Sequence, residues 1–184
     1  LLCVPAAAGL ALVAQPLSAV MVGPELAAGA AHVTPWIAAS GLLAGLTTYY
    51  FHQAFTLGQR TRMLLAAMAI PAVANLALNL VLIPRFGLDG ALWATLASYA
   101  LGLAASMGLG ARTLKLPVPW RALAETLAAT ALMALAVIQV PAFGGWLELF
   151  AKAALGAAVF GAVAFGLDAG GLRSRGLDAL RTLR

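Results

Sequence analysis

Six runs of about 20 apolar residues, almost free of charge, constrain this chain more than any other feature of its sequence. They are Leu1–Val22, Thr34–Leu57, Met63–Ile83, Ala91–Gly110, Ala122–Val140 and Leu147–Leu167. Gly, Pro or charge bounds each one: Gly23-Pro24, Gly58-Gln59-Arg60, Pro84-Arg85, Arg112 to Arg121, Pro141 and Asp168. A bilayer core is crossed by about 20 residues of helix. A barrel strand would be half as long and would alternate apolar with polar residues, which these runs do not do. Composition removes the soluble alternative. The chain is 63% hydrophobic and only 9% charged, against about 25% charged residues in an ordinary soluble domain. The expected fold class is therefore all-α integral membrane, with six transmembrane helices.

The cationic residues set the orientation. Segments after runs two, four and six hold Arg60, Arg62, Arg112, Lys115, Arg121, Arg173, Arg175, Arg181 and Arg184, nine in all. Segments after runs one, three and five hold only Arg85, and Lys152 lies near the start of run six. Positive charge is retained on the cytoplasmic side of a membrane protein. Nine against one places the C-terminus inside and explains the net charge of +5 without nucleic acid. Trp36, Trp93 and Trp146 begin runs two, four and six, and Trp120 precedes run five, as interfacial Trp residues do. Residues 1–168 form the six-helix region. Residues 169–184, "AGGLRSRGLDALRTLR" with its preceding loop, form a short basic cytoplasmic tail on the anionic inner leaflet. The chain opens Leu1-Leu2, with no Met and no charged leader, and so is expected to be part of a longer protein.

Between runs three and four lies RFGLDG, Arg85 to Gly90. Pro84 is expected to end one helix, and Gly87 and Gly90 to supply a tight outer turn. Asp89 is placed near the start of the next helix, where a carboxylate suits the dipole.

Polar residues within the runs are few. Tyr49, His52 and Gln53 have the spacing i, i+3, i+4, expected to form one helical stripe, and Asn75 and Asn79 are four apart. Gln15 and Ser18 lie on run one. Such residues either wall a polar cavity or hydrogen-bond between helices, at about 0.6 kcal/mol per contact. Sequence alone leaves both readings open. Pro5, Pro16 and Pro71 are expected to interrupt or bend their helices. Gly41 and Gly45 form a GxxxG pair suited to close helix contact. Glu148 and Lys152, four apart, are expected to pair or to reach towards headgroups. The acidic residues Glu25, Asp89, Glu125, Glu148, Asp168 and Asp178 are scattered and carry no metal-ligand spacing, so no catalytic residue, metal or cofactor is expected. Cys3 is a single thiol and forms no internal disulfide.

The stretch "NLALNLVLIPRFGLDGALWATLASY", Asn75 to Tyr99, resembles polysaccharide flippases of the multidrug/oligosaccharidyl-lipid/polysaccharide exporter superfamily, relatives of the lipid II flippase. Asn79, Leu82-Ile83-Pro84, Phe86-Gly87, Gly90-Ala91, Ala94-Thr95 and Ser98-Tyr99 carry the match. Leu92 and Trp93 stand where the family often has small residues. The opening "VPAAAGLALVAQPLSAVMVGPE" is similar to another family helix through Pro5, Gly9, Pro16 and Gly23, and "YYFHQAFTLGQRTR" to the helix that precedes the Asn-rich one. The resemblance runs in order over about 170 residues. It implies the C-terminal part of a twelve- to fourteen-helix, two-lobed flippase, with the N-terminal lobe of the same protein as partner. The implied substrate is a polyprenyl-diphosphate-linked oligosaccharide crossing the bacterial inner membrane, with membrane lipids around it. Tyr49, His52, Gln53, Asn75 and Asn79 are then candidates for the cavity wall. A drug or cation exporter of the same superfamily, a non-transporting membrane scaffold and a membrane glycan-processing enzyme are the alternatives. This part alone is not expected to transport.

Overall fold

The computed structural model describes residues 2–114, 116–117 and 119–167. The basic tail, 169–184, lies outside the described residues, as do Lys115 and Asp168. The described residues are helical, with no strand among them: α1 (Cys3–Leu12), α2 (Ala14–Met21), α3 (Pro24–Leu46), a π turn (Thr47–Phe51), α4 (Gln53–Leu57), α5 (Thr61–Ala111), α6 (Trp120–Ile138) and α7 (Gly145–Gly166). Four continuous helical stretches are long and apolar enough to cross a membrane: Pro24–Leu57, Thr61–Ala111, Trp120–Ile138 and Gly145–Gly166. The bent pair α1–α2 makes a fifth if it counts as one span. Many large apolar side chains face outward. Leu76, Leu80, Leu135 and Phe150 are each more than 60% exposed, a surface compatible with lipid and unfit for water.

Several boundaries differ from those expected. The first run is two helices meeting at 66° about Val13. Pro16 accounts for the break, because it lacks an N–H and its ring clashes with the carbonyl four residues back, on Leu12. Pro5 and Pro71 do not interrupt their helices: Pro5 lies in the first turn of α1, where no donor is needed, and Pro71 sits within the continuous first part of α5. The second run begins ten residues earlier than expected, with Pro24 in the first helical position and Glu25 in the first turn. Trp36 therefore lies within α3 and does not start it. Pro84 does not end the third run, which stays helical up to Gly87.

The chain divides into two compact units, one of Leu1–Pro35 with Pro119–Arg184, the other of Trp36–Val118. In the first unit, α6 and α7 form the most extensive helix pair, α1 packs chiefly on α6, and α2 on α7. The buried face of α6 is Thr126, Ala129, Thr130, Met133 and Val137, a single helical stripe. Thr126 and Thr130 donate their hydroxyls to the carbonyls of Ala122 and Thr126, both at 2.7 Å, so their burial leaves no donor unpaired. Gly156 brings α7 against α6: a Cβ there would stand 3.4 Å from a Val137 methyl.

The second unit is built on α5, whose 51 residues fold back on themselves. Gly87 has φ 56° and ψ −127°, the first central position of a type II′ turn and glycine territory. Three contacts show that the two limbs run antiparallel. A Cβ on Gly90 would lie 2.3 Å from the Leu82 carbonyl oxygen, and one on Gly102 would lie 2.9 Å from the Pro71 ring. At the far end the Thr113 hydroxyl reaches Met63 Sδ at 3.3 Å. The second limb turns a stripe of small residues inward: Gly90, Ala94, Ser98, Gly102, Ser106 and Gly110, every fourth residue, all buried. This is small-xxx-small packing, the means by which helices approach closely without large side chains. The expected pair Gly41 and Gly45 has no such contact among the described residues, for none of them lies within 4 Å of either Cβ position.

Gly90→Ala should therefore push the limbs apart at the turn and cost about 1–3 kcal/mol. Gly108→Ala, on the same limb with no atom within 4 Å, should stay within about 0.5 kcal/mol of the parent. Thermal unfolding of the two purified variants in detergent checks this ordering, and equal melting would contradict it.

Candidate functional site

The π turn Thr47–Phe51 lies inside an otherwise continuous 34-residue helical stretch. Its closing bond runs from the His52 N–H to the Thr47 carbonyl, five residues back, at 2.9 Å. Local chemistry favours the widening. Thr47 donates its hydroxyl to the Leu43 carbonyl at 2.8 Å, and hydroxyl back-bonding of this kind bends helices. The run Thr-Thr-Tyr-Tyr-Phe also crowds χ1 in a regular α-helix. The turn adds one residue to the local repeat and so rotates everything after it.

That rotation changes which predicted residues share a face. His52 turns into the second unit, where its Nε2 lies 3.2 Å from Oγ of Ser106, a fully buried residue on the second limb of α5. The His52 ring also packs on Phe55, which is 1% exposed. Tyr49 points away at 80% exposure, and Gln53 is also exposed. The expected stripe of Tyr49, His52 and Gln53 is thus split, because its i, i+3, i+4 geometry presumes 3.6 residues per turn.

Beside His52 lies a cavity of about 180 Å³, lined by Ala44, Thr47, Thr48, His52, Ala67, Met68, Pro71, Tyr99 and Gly102. Its polar groups are hydroxyls and an imidazole, each able both to donate and to accept a hydrogen bond. No formally charged side chain lines it. Gly102 and Ala67 leave the space, and the π turn sets the hydroxyls of Thr47 and Thr48 on its edge. Thr47, Thr48, Tyr99 and Ser106 were not among the residues expected from sequence. The signal for them was the four-residue spacing of Ser98, Gly102 and Ser106, and the β-branched pair Thr47-Thr48.

Asn75 and Asn79 do not line this cavity. They form their own pair on the first limb, Asn79 Nδ2 donating to Asn75 Oδ1 at 2.9 Å. Asn79 Oδ1 is buried and accepts no hydrogen bond among the described residues.

The first unit holds a second polar cluster. Both oxygens of the Glu148 carboxylate are engaged: Lys152 Nζ donates to one at 2.5 Å and the Gly144 N–H to the other at 2.8 Å. Gly144 and Gly145 take φ of 77° and 68°, which shapes the loop so that this N–H meets the carboxylate at the start of α7. The pair expected from sequence is present. It caps α7 and keeps a buried carboxylate and its ammonium mutually neutralised. Lys152 also borders a cavity of about 330 Å³ whose other walls, from α1, α6 and α7, are apolar or glycine. Among the described residues no group of three His, Cys, Asp or Glu side chains could hold a metal ion.

Neither a family model, nor a curated protein, nor a solved structure matches the chain.

Ser106→Ala should remove the partner of His52 Nε2 and cost about 1 kcal/mol, whereas Tyr49→Ala and Gln53→Ala should each stay within about 0.5 kcal/mol. Thermal unfolding of the three variants checks this. Equal losses at all three positions would restore the single-stripe arrangement.

Proposed function

We propose that the chain is the C-terminal part of a transporter that flips a polyprenyl-diphosphate-linked oligosaccharide across the bacterial inner membrane, for assembly of a surface polysaccharide, by alternating access. The chain makes six crossings in this reading. The limbs of α5 supply two, the bent α1–α2 pair one, and Pro24–Leu57, α6 and α7 the rest. Both ends of the six-helix region then face the cytoplasm, as the distribution of Arg and Lys requires.

The observation that carries the proposal is the cavity beside His52, set where a long apolar helix is interrupted by a π turn. Transporters place cargo at interrupted helices, where irregular backbone is tolerated only if it lines a cavity. The lining suits the cargo's sugars. Hydroxyls of Thr48 and Tyr99 can exchange hydrogen bonds with sugar hydroxyls in either direction, while the Thr47 hydroxyl, which donates to Leu43, can accept one, and no charge in the wall has to be desolvated on each passage. The ordered match from Asn75 to Tyr99 supports the same family. It includes the Gly87 turn and the start of the small-residue stripe.

The test is export of surface glycan in a flippase-null strain that expresses the full-length protein. Thr48→Val combined with Tyr99→Phe should lower surface glycan at least tenfold while membrane protein level stays normal. Normal export by that double variant would overturn the cavity's assignment, and failure of the parent protein to restore export would overturn the transport reading itself.

A further inference from the structure

The fold-back of α5 brings Arg112 to the neighbouring pair Arg60 and Arg62, about 50 residues earlier in the sequence. Thr113 meets Met63 at 3.3 Å, and the position of a Cβ on Gly58 is filled by Thr113. These contacts put Arg60, Arg62 and Arg112 at one end of the second unit, each within two residues of a contact between the segments. All three side chains are exposed. The segment Trp36–Val118 contains a single acidic residue, Asp89, and it sits at the opposite end, by the Gly87 turn. Nothing within the unit therefore balances the charge at the hairpin base. Arg121 is a different case, because it already holds Glu125 at 2.8 Å and belongs to the other unit.

We propose that this hairpin base is a binding site for the phosphate of an anionic lipid, with Arg60, Arg62 and Arg112 as its cationic ligands. Guanidinium groups match phosphate oxygens in paired, charge-assisted hydrogen bonds. The lipid, not a soluble phosphate, is the fitting source because the same end is apolar beside its charges. Leu57, Leu65 and Leu114 are 68%, 62% and 41% exposed there. A headgroup set at the arginines lays its first methylenes along those leucines, while a free phosphate gains nothing from them. The site needs only that the chain is membrane-embedded. It stands or falls independently of glycan transport.

Lipid binding to the purified full chain, followed by native mass spectrometry from a neutral detergent, tests this. Phosphatidylglycerol and phosphatidylcholine with the same acyl chains are the probes. A basic residue near an anionic lipid surface contributes roughly fivefold to binding, so Arg60→Gln/Arg62→Gln/Arg112→Gln should lose about 100-fold in phosphatidylglycerol binding and fall to the phosphatidylcholine level. Arg85→Gln, at the other end of the same hairpin, should leave phosphatidylglycerol binding unchanged. Arg112→Gln alone should lose about fivefold and decides the matter if the triple variant does not fold. Equimolar inorganic pyrophosphate should displace no lipid. The proposal is overturned if Arg112→Gln binds phosphatidylglycerol as the parent does, if Arg85→Gln loses as much as Arg112→Gln, or if pyrophosphate displaces the lipid.

Discussion

A backbone in hydrocarbon has no water to satisfy its N–H and C=O groups, so it must stay helical and can turn or break only where something else satisfies or removes those groups. Each irregularity in this chain meets that condition by a different device. At Val13 the bend follows from Pro16, which has no donor to leave orphaned. At Thr47–Phe51 the ladder shifts to a five-residue bond, which keeps the His52 N–H paired with the Thr47 carbonyl. At Gly87 a type II′ turn reverses the chain in the space of a few residues. At the start of α7 the Glu148 carboxylate takes the Gly144 N–H, and Lys152 takes the charge.

Close packing follows from the same constraint. Lipid tails are as apolar as leucine, so burial of large side chains does little to hold two helices together in a membrane. The second limb of α5 instead presents Gly90, Ala94, Ser98, Gly102, Ser106 and Gly110, and its serines return their hydroxyls inward. Ser98 donates to the Ala94 carbonyl at 2.6 Å and Ser106 faces His52. The large residues point outward. The arrangement is that of a soluble protein reversed, and it leaves a small polar cavity beside a helix of otherwise unbroken apolar character.

The helical, membrane-compatible character of the chain was legible because it rests on run length and charge scarcity, which no tertiary contact can reverse. The turn at RFGLDG was legible because Gly87 has a backbone requirement of its own. The boundaries were less so. Residues 24–33 carry too many alanines and too few large apolar side chains to register as a span, yet Pro24 and Glu25 start a good helix. His52 was legible as one of the few polar residues of its run. Its companions were not, because a π turn leaves no mark at 3.6-residue spacing. Tyr49 and Gln53 are exposed and do not join His52 in its contact with Ser106. The small-residue stripe could have been read from its four-residue period, which Gly41 and Gly45 imitate without a packing partner among the described residues.

All of this depends on α5 being a hairpin, since a straight helix would separate Arg112 from Arg60 and Arg62, leave the small-residue stripe without the limb it packs on, and open the cavity. The most direct measurement is the distance between spin labels at Met63→Cys and Thr113→Cys, in a Cys3→Ser background, in lipid nanodiscs. The fold-back places the two positions in contact. A straight helix would set them about 75 Å apart, at 1.5 Å per residue. Strong dipolar broadening at the shortest measurable distances is the result expected, and labels too far apart to couple would contradict the account.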